Sequence, residues 1–512
     1  MIIYFKNLEN SYENIVIIWN CIYNYYYVTK IQIYGGVMEL LNGLVETINE
    51  YLWGYILIVM LISIGIYFTF KTKFVQFRLF REMFRLLGDR IDSGKKQEGK
   101  ISSFQAFCIS TASRVGTGNI AGIAIAIVTG GPGAIFWMWI IALIGSASSF
   151  VESTLAQIFK VKDNEGFRGG PAYYMEQGLK SRTMGMVFSV LITVCFGFIF
   201  NAVQSNTITV AFNNAFGVNK LAVGIVLSVL TGIIIFGGVH RIAKVSEIIV
   251  PIFAVLYILV ALFVVAINIG EIPNVIKTIC ENAFGVREMA VGSFGGMVLV
   301  GIKRGLFSNE AGMGSAPNAA ASADVTHPVK QGLIQTLGVF TDTIVICSCT
   351  AFIILLYSDY ASAGLEGIEL TQAALSSQIG PIGNIFIAVC ILLFAFSSIV
   401  GNYYYGESNI EFMSGNKVIL NIFRVIVVCM VLFGSVAKVQ LVWDLADVFM
   451  GIMAVINLVA IALLGKYAFI ALKDYSDQKK AGIKDPIFDA SNIEGLENVQ
   501  CWTNNEEEEK VI

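Results

Sequence analysis

From about residue 51 to about residue 465 the chain repeats one pattern: a stretch of roughly twenty mostly apolar residues, then a short polar joint. Such stretches fall at 51–70, 104–128, 131–159, 185–213, 221–239, 247–269, 288–302, 331–357, 371–405, 418–437 and 441–465. A helix of that length matches the hydrocarbon thickness of a bilayer, and in lipid only helices or closed barrels satisfy their own backbone. The firmest stretches are Leu370–Gly406 and 115–151, neither of which contains a charged residue. Composition agrees: 56% of the 512 residues are apolar and 14% charged, and mean hydropathy is +0.71. The reading is an all-α polytopic membrane protein of about eleven transmembrane helices, with one membrane domain and the lipid bilayer as its solvent.

Several function classes drop out. A net charge of −3 with no basic stripe argues against a nucleic-acid partner. The nine cysteines are scattered, and only Cys347 and Cys349 lie close together, so neither a disulfide frame nor a zinc site is indicated. The two histidines, His240 and His327, lie in joints, and no Gly-x-x-x-x-Gly-Lys run cradles a nucleotide. An enzyme is not expected, and any work must draw on an ion gradient.

Orientation follows from the Lys/Arg bias of short loops. The joint after the first stretch carries Lys71, Lys73, Arg78, Arg81, Arg85, Arg90, Lys95, Lys96 and Lys100, which places it in the cytoplasm. Counting forward, Lys160–Arg182, His240–Lys244, Lys303–Lys330, the Lys417 joint and the C-terminus are also cytoplasmic, in the cell (inner) membrane. The opposite joint Asp359–Glu369 has three acids and no cation. Phe77, Phe80, Phe84 and Leu87 fall at helical spacing among arginines, a pattern for a helix lying in the lipid interface; an ordinary polar loop is the alternative.

The ends differ from the middle. Residues 1–37 are rich in Ile, Asn and Tyr, and Met38 is the more natural beginning, so 1–37 reads as an extension not translated natively. A further span around Ile15–Val28 is the competing reading. The transporter domain then covers 38–473, and 474–512 is a polar tail, solvated and partly disordered, ending in Glu506–Glu509.

The stretch 104–128 contains Arg114 and the run Gly116-Thr117-Gly118-Asn119 near mid-membrane. Two glycines weaken a helix there, and unwound backbone at that depth must line a cavity or be buried in protein. Such a break offers carbonyls to a cation and N–H groups, at the positive end of a helix dipole, to a carboxylate. A close small-residue helix crossing would use the glycines but not Thr117 or Asn119. A second cluster, Gly292-Ser293-Phe294-Gly295-Gly296, begins a span five helices later, and paired interruptions point to a transporter site. Ser397 and Ser398 place hydroxyls mid-span, suited to an alkali cation or to their own helix carbonyls. Asn201, Gln204, Ser205 and Asn206 should face the bundle interior; Gln204 and Asn206 are candidate substrate or cation contacts, with interhelical hydrogen bonding the alternative. Arg114, Glu152, Glu247, Asp342, Asp444 and Asp447 are the charges in or beside spans; each is a functional candidate, but Glu247, Asp444 and Asp447 lie near span ends where water can reach them, which favours an ordinary solvated role for those three.

Longer runs are similar to a known family. Gly130–Gly145, reading GGPGAIFWMWIIALIG from residue 130, fits the signature of the alanine or glycine:cation symporters, also called sodium:alanine symporters. Arg114–Ile123, Gly305–Pro317 and His327–Ile344 resemble the family as well, and the likeness spans about Met38 to Lys473. The resemblance implies a leucine-transporter-like fold of two inverted five-helix repeats, 104–269 and 288–465, plus one extra N-terminal helix. It implies Na⁺ as coupling ion and a small neutral amino acid, alanine or glycine, as substrate. By the same resemblance Thr117, Gly118 and Asn119 meet substrate or ion, Phe294 caps the pocket, and Ser397 and Ser398 join the Val115 carbonyl around Na⁺, with Asn119 a further ligand. Where the family carries Ser-Thr this chain has Ser397-Ser398, and where it carries tryptophan it has Asn402, a change that widens or polarises the pocket. A proton-coupled carrier titrating at Asp342 or Glu152 is the runner-up; a channel or transporter-like receptor is the other class, although no carbonyl filter or ring motif is visible.

Overall fold

A computed structural model describes residues 43–89, 100–163, 166–284 and 294–502. The expectations for 1–37 and for Glu506–Glu509 lie outside the described residues. Two compact units divide at Tyr51: the described part of the first, 43–51, is helical, and the second begins at Leu52. Among the described residues eight helices are long and apolar enough to cross a membrane, or nine with one bent pair counted as a single span. The chain is an integral membrane protein.

The second unit opens with a wide helical turn at Leu52–Leu57, which runs into α1 (Ile58–Lys71), and continues to α2 (Phe80–Leu87). Met83 and Leu86 of α2 are buried while Phe77, Phe80 and Phe84 are exposed, as a helix lying along an apolar medium requires. Next come α3 (Ser103–Arg114) and α4 (Gly118–Gly130), the pair bent by 50°. Ser102 starts α3 with a reciprocal capping box: its hydroxyl accepts from the Gln105 N–H, and its own N–H donates to Gln105 Oε1. Then follow α5 (Gly133–Ile158), the hairpin β1 (Val161–Asp163) and β2 (Gly166–Arg168), and α6 (Pro171–Gln177). After them run α7 (Arg182–Phe216), α8 (Lys220–Ile235), α9 (Gly238–Ile267) and α10 (Ile272–Phe284). The chain continues through α11 (Phe294–Asn309), α12 (Ala316–Ser322), α13 (Pro328–Leu355), α14 (Gly367–Ile379), α15 (Ile382–Met413), α16 (Lys417–Val436) and α17 (Val439–Lys480).

Three expectations need correction. The stretch 371–405 is two helices, α14 and α15, separated at Gly380 (φ +75) and Pro381, a pair that one helix cannot run through. The apolar span expected at 288–302, described from Phe294 onward, runs on to Asn309, so Lys303 and Arg304 belong to α11 and not to the polar joint that follows. The described part of the tail, to Trp502, packs on the bundle and is not wholly solvated. Its Phe488 N–H donates to Thr326 O at 3.0 Å and the Trp502 indole to Gln157 O at 2.7 Å. The Lys160 ammonium lies over the Phe167 ring at 4.0 Å and over the Trp502 ring at 4.6 Å, so buried aromatic surface and a cation clamp hold the segment.

The bent pair α3–α4 and the pair α11–α12 cross antiparallel. Gly130 lies against Val300, Gly118 against Phe307, and Ser113 against Glu310, while Ile101 is bridged to Ala323. Both helix pairs therefore break side by side.

Candidate functional site

At the first break Val115 leaves helical geometry (φ −79°, ψ 93°), which frees the carbonyls of the preceding turn. Three carbonyls converge on one hydroxyl: Ser398 Oγ lies 2.8 Å from Ala112 O, 3.2 Å from Val115 O and 3.0 Å from Phe394 O. A serine has one proton to give, so the cluster holds more acceptors than it can serve, in the all-oxygen pattern a hard cation takes. Ser397 does not join it; its hydroxyl donates to Phe394 O of its own helix at 2.8 Å. The freed N–H groups are taken up by side chains: Gly116 N–H donates to Asn119 Oδ1 at 2.9 Å, and Thr117 N–H to Gln204 Oε1 at 3.0 Å. A Cβ at Gly116 would lie 2.4 Å from Ser398 Oγ and 2.7 Å from Gln204 Oε1, so only glycine lets both side chains reach the break.

Asn119 turns the other way, into a fully buried cluster. Its amide donates to Asp342 Oδ1 at 2.6 Å and to Ser308 Oγ at 3.0 Å. Ser308 and Thr343 donate to Asp342 Oδ2 at 2.7 and 2.9 Å. Asn119 thus links the break to α11 and α13 and is separate from the oxygen cluster around Ser398.

Among the described residues, the second break falls later than the Gly292–Gly296 cluster. Gly295 and Gly296 sit in the exposed first turn of α11, where an added Cβ would meet nothing within 4 Å, while Gly292, Ser293 and the Phe294 side chain lie outside the described residues. The helix stops instead over Glu310–Ser315, where Glu310, Gly312 and Gly314 take φ of +58°, +84° and +86°. Glu152 of α5 replaces the lost helical acceptors: its carboxylate takes the N–H of Gly312 at 3.0 Å, the N–H of Gly314 at 3.1 Å and the Asn457 amide at 2.8 Å. Glu310 in turn accepts from Ser113 at 2.9 Å and Ser315 at 2.5 Å, joining the two breaks. Arg114 is buried within electrostatic reach of Glu152, Glu310 and Asp342, and donates to Gln335 O at 3.3 Å.

The remaining candidates separate. Asn402 is at the breaks: its Oδ1 lies 2.7 Å from Ser113 Oγ, whose one proton serves either Asn402 or Glu310, and its amide donates to Asn201 Oδ1 at 3.2 Å. Asn206 is not; its amide ties α7 to the end of α16 through Gly434 O at 2.9 Å and Ala437 O at 2.8 Å. Thr117 is fully buried, and its hydroxyl has no hydrogen-bond partner among the described residues.

Sequence reasoning missed the aromatic layer beside Gly118. Phe307 stacks on Phe200 at 4.7 Å and meets Trp443 at 4.6 Å, while its ring lies about 3.0 Å from where a Gly118 Cβ would be. On the far side of that layer Arg304 covers Trp443 at 4.9 Å and bonds Asp447 at 2.6 Å. For the second break the usable signal was the Gly312-Met-Gly314 spacing ahead of Pro317, a helix restart just after two turn glycines; no such pattern marks the aromatic layer.

Comparison with known proteins agrees with this architecture. Residues 38–490 match the sequence profile described as the sodium:alanine symporter family. The probable sodium/glutamine symporter GlnT of Bacillus subtilis (strain 168) is 59% identical over 91% of this chain and 97% of its own length. The amino-acid carrier protein AlsT of the same organism is 57% identical over 91% of this chain and 99% of its own. Among solved structures, MhsT in complex with L-phenylalanine superposes with a TM-score of 0.52 at 16% identity, covering 76% of this chain and 99% of that one. That likeness establishes the leucine-transporter-like fold. By its profile and its relatives, the chain belongs to the sodium:alanine symporter family and is a transporter, not an enzyme.

Proposed function

We propose that the chain couples inward passage of a small neutral amino acid to Na⁺. The observation that carries this reading is the convergence of the Ala112, Val115 and Phe394 carbonyls on Ser398, four oxygens at a helix break. A Na⁺ there would bridge α3 and α15, so its arrival and departure would act on the relative position of two helices, which alternating access requires. The relatives' names, a sodium/glutamine symporter and an amino-acid carrier, support the same class of cargo.

Alanine or glycine is the substrate the family likeness favours. The buried chain Ser113–Asn402–Asn201 supports a second reading, a substrate with an amide side chain such as glutamine, because these groups can exchange hydrogen bonds with a polar side chain. In the orientation that follows from the basic first joint, the face bearing the tail and the β-hairpin is cytoplasmic, and the opposite face opens outward.

Uptake of labelled alanine, glycine, serine and glutamine into proteoliposomes, driven first by a Na⁺ gradient and then by a proton gradient, tests the proposal. Uptake that follows protons and ignores Na⁺ overturns the coupling; glutamine outcompeting alanine selects the second substrate reading.

A further inference from the structure

Where α8 and α16 lie against each other they leave a groove of about 540 Å³ on the outside of the bundle, walled by Ile225, Val229, Phe236, Val425, Val428 and Leu432. Ile225, Val229, Phe236 and Val425 are each more than half exposed, which in a membrane protein means exposed to hydrocarbon. At about 1.5 Å per helical residue, Ile225 to Phe236 spans about 16 Å, half of a hydrocarbon core of about 30 Å. The groove therefore runs the depth of one leaflet.

It ends where a second cavity, of about 580 Å³, begins. Phe236 and Val425 line the groove, Gly238 and Arg424 line the second cavity, and the Arg424 guanidinium lies over the Phe236 ring at 5.4 Å, so the two share a boundary. Asp163 and Arg168 of the β-hairpin form part of the second cavity's wall. Its lining charges balance, three carboxylates against three cations, but they are unevenly placed. Arg424 and Glu407 close on each other at 2.9 Å. Arg168 is shared by two carboxylates, Asp163 at 2.7 Å and Glu411. Lys417 is exposed and has no ion pair among the described residues, and neither has Arg241, which donates to Ile233 O at 2.8 Å at the end of the groove. One side of the cavity is thus rich in acid and the other in cation.

We infer that the joined cavities are a site for one phospholipid with a zwitterionic, amine-bearing headgroup, a phosphatidylethanolamine: an acyl chain in the α8–α16 groove, the phosphate at Lys417 and Arg241, and the ammonium at Asp163 and Glu411. The length of the groove suits one chain of one leaflet, and the cavity at its end takes a head that is neutral overall but carries both charges. A headgroup with phosphate and no amine would leave the two carboxylates unanswered, and the quaternary ammonium of choline has no N–H to give them. A second copy of the chain, related by a two-fold axis, would meet the groove with its own groove and leave the charged cavity unfilled. Bound there, the lipid would join α15, which carries Ser398, to the α8–α16 pair.

Native mass spectrometry of the purified, delipidated full chain, with dioleoyl phosphatidylethanolamine, phosphatidylglycerol or phosphatidylcholine added back, tests it. We expect one phosphatidylethanolamine per chain, bound about tenfold more tightly than either of the others, the value of one hydrogen bond to a charged group. Glu411→Gln should remove that preference, while Lys417→Gln should weaken phosphatidylethanolamine and phosphatidylglycerol alike, about tenfold. Gly232→Leu, whose side chain would grow into the groove beside Val428, should weaken all three lipids and leave the charged cavity intact. Should Glu411→Gln misfold, Lys417→Gln and Gly232→Leu decide. Equal retention of the three lipids by the wild type, a dimer in place of bound lipid, or unchanged retention in the variants overturns the site, whatever the transport assays show.

Discussion

Ser397 and Ser398 are neighbours with the same chemistry, yet the structure gives them different work, and that difference can be measured. Ser398 Oγ stands among three carbonyls from two helices, whereas Ser397 Oγ meets only Phe394 O of its own helix. Replacing Ser398 by alanine removes one of four oxygens from the proposed Na⁺ site and leaves the carbonyls in place. A contact to a charged group is worth about 1.5–3 kcal/mol, so the Na⁺ concentration for half-maximal uptake should rise roughly ten- to hundredfold. Ser397→Ala loses a bond within one helix, worth about 1 kcal/mol or less, and should leave Na⁺ dependence within about twofold of wild type. The assay is initial-rate uptake of labelled alanine or glutamine into proteoliposomes across a Na⁺ series, with maximal rates compared at saturating Na⁺. Equal shifts in both variants, or no shift for Ser398→Ala, would refute the assignment of the cation to this cluster.

Other perturbations reach other parts of the fold. Gly314→Ala puts a Cβ at φ +86° and 2.8 Å from Phe188 and Pro171, so thermal stability in detergent should fall, by about 1–2 kcal/mol from the backbone alone, and uptake with it. Asn119→Ala removes the link between the first break and the Asp342 cluster and should abolish Na⁺-driven uptake while the chain still inserts and purifies as a monodisperse species. Trp502→Ala deletes the indole bond to Gln157 O and the ring over Lys160, and should expose residues 483–501 to limited proteolysis without changing helix content by circular dichroism. Burial raises the Glu82 carboxyl, but bonds from Arg85 and Tyr475 outweigh it and hold the group at about 2 against an ordinary 4.5. The attachment of α2 to α17 is therefore at full strength above pH 4.5 and is lost as pH falls toward 2, which hydrogen exchange of α2 across that window will report.

Helix positions were legible in the sequence wherever apolar length alone decides them: α5, α13 and α16 lie within a few residues of their expected bounds. The first break was legible too, because Gly116 and Gly118 interrupt an otherwise apolar run. The second was not, since Phe307-Ser308-Asn309-Glu310 reads as polar joint until Glu152, distant in sequence, is seen to supply the acceptors that let Glu310–Ser315 unwind inside the bundle. For the same reason Lys303 and Arg304 counted as loop cations; their partner Asp447 is 143 positions from Arg304. Polar residues in a span were correctly placed in the interior, but pattern could not tell Gln204, which meets the break, from Asn206, which ties two helices together. Only the crossing of α7 with α16 decides that.

The charges around the two breaks bear on why substrate and ion should travel together. Glu152, Glu310 and Asp342 are fully enclosed and, among the described residues, share the guanidinium of Arg114. Carboxylates held in low dielectric without matching cations are costly, so with all three ionised two further positive charges would balance this set. In the proposed reaction Na⁺ brings one and the ammonium of the amino acid another, while the substrate carboxylate turns to the N–H groups of the opened helices. With only one of the two bound the enclosed charge would stay uneven, and closing the bundle over it would cost more than closing over both. Coupling would then need no dedicated latch between the sites, because the same buried carboxylates respond to either arrival. Removing a carboxylate should accordingly loosen coupling before it abolishes binding: Glu310→Gln is expected to permit Na⁺ leak without amino acid, read as ²²Na⁺ entry into proteoliposomes, and a variant that stays tightly coupled would show that balance of charge is not what joins the two.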